Sequence, residues 1–168
     1  MVEVFNRTVK GLRAKTEVWA HSCWGNPSQQ RMFAKVSYQP SLETYNRVDA
    51  DVITFETSSS GGADLEAIGK TITDKKIAIG VIDHHTLQVE SPDEVAAQIH
   101  AALKYIAPER LVISSDCGMG GEGMIRRHAF YKMVSLVLGT NLVRKELGLP
   151  ESECLAADED YSLVVPAK

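Results

Sequence analysis

Eight side chains of this sequence could do chemistry together, and they fall where apolar runs end. VWAHSC (18–23) closes on His21 and Cys23, ADVITFE (50–56) on Glu56, KKIAIGVIDHH (75–85) on Asp83, His84 and His85, and RLVISSDCG (110–118) on Asp116 and Cys117. One His, two Cys and a carboxylate have the softness and number of donors for tetrahedral Zn²⁺. The remaining His and Asp residues are acid/base groups. Each group alone has an ordinary reading. His21 and Cys23 alternate onto one sheet face as any i, i+2 pair does, a lone Cys117 is a small buried residue, Glu56 could cap a helix, and His84 and His85 could sit in an exposed loop. Four run ends converging on one kind of chemistry make the metal reading the stronger one.

The runs read as parallel strands, each followed by a helix. Val2, Phe5, Val9 and Leu12 recur at helical spacing over 2–13, and a β-prone run over 16–20 leads into the first candidate donors. A weaker helical stretch spans 41–48, and a further short helix spans 64–70. SPDEVAAQIHAALKYI carries the strongest start signal in the chain, with Ser91 at the N-cap, Pro92 at N1 and Glu94 at N3. Val95, Ile99, Leu103 and Ile106 then form one face. The fourth strand, 110–116, turns through CGMGGEG into a long helix over 124–147, stopped by Gly148 and Pro150. Strands of continuous apolar character alternating with helices imply an α/β fold with a parallel sheet covered on both faces. In such folds reactive groups gather at the carboxyl ends of the strands.

Composition bounds the rest. With 168 residues, 44% hydrophobic and 24% charged, the chain reads as a single domain over 1–168. A net charge of −4 with scattered Lys and Arg gives no footprint for nucleic acid. No apolar run approaches the ~20 residues that span a bilayer, and MVEVFNRTVKGLRAK does not build a signal-peptide core. A cytoplasmic protein without nucleic-acid or membrane partners is expected. Three cysteines without an export signal disfavour a disulfide framework. Cys154 reads as a spare thiol, His100 as a surface or packing residue, and His128 with Arg126 and Arg127 as a charged helix face. The TSSSGG loop (57–62) could cradle an anion through its N–H groups.

HSC, DADVITFETSSS, GVIDHHTLQVESPDEV and RLVISSDCG resemble, in order and spacing over roughly residues 18–120, the catalytic C-terminal domain of cobalamin-independent methionine synthases. The resemblance implies a TIM-type (βα)₈ barrel of which this chain supplies four units, the C-terminal half. It implies zinc held by His21, Cys23, Glu56 and Cys117, with His85 as the acid that protonates the leaving amine and Asp83 orienting it. The implied reaction is methyl transfer from 5-methyltetrahydrofolate to a homocysteine thiolate, with a second chain or a homo-oligomer completing the barrel. WGNPSQQ (24–30) and MGGEGMIRR (119–127) depart from the longer synthases. The first is closer to shorter relatives such as epoxyalkane:coenzyme M transferases, so an alkyltransferase with another thiol, or a non-catalytic zinc-binding half-barrel, stays open here.

Overall fold

A computed structural model describes residues 1–25, 36–120 and 123–157; parts of WGNPSQQ and MGGEGMIRR fall outside these. Four strands, β1 (Trp19–Ser22), β2 (Val52–Phe55), β3 (Lys76–Gly80) and β4 (Leu111–Ser114), form one parallel sheet in the order of the chain. Helices α1 (Val2–Thr8), α2 (Leu42–Asn46), α3 (Leu65–Thr71), α4 (Pro92–Leu103) and α5 (Arg126–Glu146) precede or follow them. This sequential parallel order is that of a (βα)₈ barrel, and the described units are half of the eight a barrel contains.

The sequence reading differs from the structure mainly at boundaries. The helix expected over 2–13 ends at Thr8, because Gly11 adopts φ 79° and only a 3₁₀ turn, Leu12–Ala14, follows. β1 begins at Trp19, so His21 lies inside the strand instead of behind it. The strong start signal is confirmed: Ser91 and Glu94 form a reciprocal capping box. Val95, Ile99 and Ile106 are buried as expected. His100 is exposed, with Nε2 in hydrogen-bond contact with Glu146 Oε2 at 2.6 Å. His128 corrects the expectation of a charged face: it is half-buried, since the first turns of α5 lie against the protein while Arg126 and Arg127 face solvent.

Register keeps the strand ends level. Ser22 pairs with Phe55, Phe55 with Ile79 and Ile79 with Ile113, so the donors that follow each strand emerge along one rim. β2 and the apolar part of β3 are buried throughout, as a covered parallel sheet requires. On the outer side α4 and α5 cross closely at Gly139, where an added Cβ would lie 2.5 Å from Val95 Cβ and 2.6 Å from the Pro92 carbonyl.

One side chain ties three strands together at the rim. Asp116, 1% exposed, accepts N–H bonds from Thr57 (2.9 Å) and Ser58 (2.8 Å) on Oδ1 and from Ser59 (2.7 Å) on Oδ2. The anion cradled by the TSSSGG loop is therefore the chain's own carboxylate. To reach it, Asp116 passes over β3 at Gly80, where a Cβ would sit 1.9 Å from Oδ1. Burial lifts the Asp116 carboxyl to about 6, against the pull of its N–H donors.

Two outcomes follow from these contacts. Asp116→Ala strands three N–H donors at ~1–3 kcal/mol each, so urea denaturation should show a loss of several kcal/mol, with Asp116→Asn, which keeps one acceptor oxygen, losing clearly less. Gly139→Ala should destabilise by about 1–3 kcal/mol through overpacking, outweighing the ~1 kcal/mol helix propensity gain; unchanged or raised stability would show that α4 and α5 can separate freely.

Candidate metal centre

Ligand atoms of His21, Cys23 and Cys117 lie within 4.8 Å of one another. These residues come from β1 and from the end of β4, the two outer strands of the sheet. In a flat sheet three spacings of ~4.8 Å would part those strands by about 14 Å, so the sheet curls and side chains on its inner face converge. The curl of a barrel wall is thus legible in the donor positions.

Each donor has its own support. The His21 ring is held through Nδ1 by the Thr54 hydroxyl at 2.6 Å, an outer-sphere contact of the kind that orients metal-binding imidazoles. Cys23 directly follows β1, and the next residue, Trp24, stacks on Tyr38 with ring centroids 4.0 Å apart. Cys117 follows the anchored Asp116. Burial pushes the Cys117 thiol up, and the neighbouring Cys23 and Glu56 add to the shift. Sulfur and carboxylate groups facing one another in this way are a site that a cation would relieve.

Glu56, 1% exposed, falls in an adjoining cluster, its carboxylate within 4.8 Å of ligand atoms of His84 and His85. It borders the first group all the same: Oε2 accepts the Trp24 N–H at 3.3 Å, and Oε1 accepts the Ser59 hydroxyl at 2.7 Å. Its backbone is fixed by Tyr38, whose buried hydroxyl accepts the Glu56 N–H at 3.0 Å. That burial, with only partial offset from the Glu56 backbone, raises the Tyr38 phenol well above its ordinary value, so it stays a neutral anchor.

Asp83 and His85 form the pair expected from the sequence. Asp83 Oδ1 accepts the His85 backbone N–H at 2.8 Å and lies 3.0 Å from His85 Nδ1. An ionised carboxylate only accepts, so Nδ1 carries the proton and the ring's direction is set. His84 lies against His85 with ring centroids 3.9 Å apart and planes tilted by 40°; it is 2% exposed, and neither of its ring nitrogens has a hydrogen-bond partner among the described residues. Burial, then His85, lowers its pKa, and the loop after β3 carries His84 as a buried imidazole inside the cluster and not as an exposed residue. The sequence places His84 among the strand-end groups without assigning it a role, and does not single out Tyr38 or Thr54. Their only signal is position, one strand or one loop away from a donor.

A family model described as the catalytic domain of cobalamin-independent synthase matches residues 1–137. A methionine synthase of Thermococcus kodakarensis is 34% identical over 146 residues, covering 87% of this chain and 39% of that protein. One from Saccharolobus solfataricus is 35% identical, with 87% and 40% covered. A B12-independent methionine synthase from Shewanella sp. W3-18-1, solved in complex with selenomethionine, superposes with a TM-score of 0.75 at 26% identity, over 87% of this chain and 43% of that one. The chain thus spans about two fifths of the length of the curated relatives it matches. From its curled parallel sheet, its rim of donors and its match over residues 1–137, the chain belongs to the cobalamin-independent synthase family and carries part of its catalytic domain.

Proposed function

We propose that this chain is the metal-binding part of a zinc-dependent thiol methyltransferase of the methionine synthase type, with residues 1–168 forming a single partial barrel domain. The observation that supports it most is the meeting of His21, Cys23 and Cys117 within 4.8 Å, bordered by Glu56, whose own cluster holds His85 of the Asp83–His85 pair. His21, Cys23 and Cys117 would hold the ion, with Glu56 as fourth donor. The donor set fits Zn²⁺, which accepts N, S and O ligands. Zinc held there would supply the charge that keeps a homocysteine-like thiol deprotonated near neutral pH.

The chain's own residues supply the remaining work. Glu56 is the hardest donor of the four and the one whose oxygens are also held by Trp24 and Ser59, so it is the group that can yield its place without unfolding the rim. His85 is the proton donor. Methyl loss from a 5-methyltetrahydrofolate-like donor leaves an amine nitrogen that departs poorly as an anion, and an imidazole is a side chain suited to giving it a proton. Asp83 keeps the ring aimed. The rest of the barrel, from a second chain or a homo-oligomer, would attach at the open sides of β1 and β4. Leu111 and Ile113 of β4 line an apolar groove of about 320 Å³ with Leu136 and Val137 of α5, the surface that further β/α units would cover. Among the described residues no helix is long and apolar enough to cross a membrane, in keeping with a cytoplasmic enzyme.

Purified protein should bind about one zinc per chain, releasing protons as its thiols ionise, so affinity should fall as pH falls. Cys23→Ser and Cys117→Ser should each weaken binding by more than the ~10–100-fold typical of outer-sphere changes; unchanged zinc content in both would end the site assignment. With the barrel completed, methyl transfer to homocysteine should fall by about 10²–10⁴ in His85→Gln at unchanged zinc content. Turnover of coenzyme M with an epoxide and none with homocysteine would replace the methyl donor and keep the metal.

A further inference from the structure

Resting on that reading, we propose that Lys132 and Glu90 are positioning residues for the proton donor, a buried ion pair that sets where His85 stands relative to the metal donors. Lys132 is an unusual residue for its place. It lies in the second turn of α5 and is 0% exposed. Its ammonium has three N–H donors and meets three acceptors, Glu90 Oε1 and Oε2, each at 2.9 Å, and the Asp83 carbonyl at 3.0 Å. Glu90 Oε1 also accepts the Asp83 backbone N–H at 2.9 Å. The hydroxyl of Ser135, one turn further along α5, donates to the Glu90 carbonyl.

Asp83 is therefore held on both sides of its backbone, its N–H by Glu90 and its carbonyl by Lys132, while its carboxylate holds His85. The two ends of the segment 83–90 are pinned to one point on α5. That helix follows the segment carrying Cys117, so a single ion pair refers the proton donor to the part of the chain that supplies a thiolate. Stability alone does not account for the arrangement, because an apolar pair of similar volume is commonly as stabilising as a buried ion pair. What the charged pair adds is direction: three bonds of fixed geometry onto one loop. Catalytic geometry is that demanding, since a displacement of about 1 Å can cost ~10²-fold in rate.

The test uses the full, zinc-loaded protein, with Glu90→Gln and the charge-free pair Glu90→Gln/Lys132→Met. In histidine-selective NMR the wild type should show a slowly exchanging Nδ1–H resonance for His85. Both variants should lose or broaden it at unchanged zinc content, and kcat should drop by about 10–100-fold with KM within about twofold. Should Glu90→Gln fail to fold around its unpaired lysine, the charge-free variant decides. A folded variant with the resonance and kcat unchanged overturns the proposal, as does loss of zinc in step with loss of rate. If the resonance behaves as expected but the completed wild-type barrel transfers no methyl group, the positioning role of the pair stands and the methyltransferase reading falls.

Discussion

The passage of the Asp116 carboxylate over β3 into the loop after β2 is the contact on which the rim depends. It places Cys117, its chain neighbour, and Glu56, the neighbour of the loop it grips, in a fixed relation across an intervening strand. Gly80 is a glycine because that crossing leaves no room for a Cβ. Three N–H donors on one carboxylate satisfy backbone groups that a tight buried loop would otherwise leave orphaned. They also do so with a side chain whose removal opens the loop and the metal rim together. The same feature that closes the fold at its carboxyl end thus sets the spacing of two candidate ligands.

Much of this was legible before any coordinates. β2 and β3 announce themselves as short apolar runs bounded by Gly, Ser and Asp, and α4 by its capping box, because these signals act within a few residues. The meeting of His21 and Cys23 with Cys117 was expected from their places at strand ends. What could not be read was the distance between them, which is set by sheet curl and is a property of the whole wall. The anion-cradle reading of TSSSGG found the right donors, yet the acceptor lies 57 to 59 residues away and local pattern cannot name it. His128 shows the same limit. Its arginine neighbours colour the local composition, but the face of α5 that turns inward is decided by what it packs on.

Lys132 and His84 are polar groups whose meaning is supplied by distant partners. A lysine among FYKMVSLV reads as an interruption of an apolar face until Glu90 is placed against it. His84 reads as half of an exposed pair until the sheet curls Glu56 and Asp116 towards it. Buried polar groups are costly without partners, so their presence in an otherwise apolar stretch is itself a signal that long-range contacts exist. Local pattern reveals that such a partner must be found without saying which residue it is.

The distribution of these groups along the chain separates two things that a complete barrel would merge. Every candidate metal donor, together with the proton-donor pair and the ion pair behind it, lies within residues 21–132, on consecutive strand ends of one wall. On the proposed function, metal binding would need only the local curl of that wall, which Asp116 and the level register already impose. Methyl transfer needs more: an opposite wall to bind the donor, exclude water and hold the reacting groups at near-attack distance. Under that proposal, metal affinity and turnover would respond to different parts of the barrel. Substitutions on the rim of this chain would then move both, whereas opening the seams at β1 and β4 would leave a bound metal in place while the reaction stops.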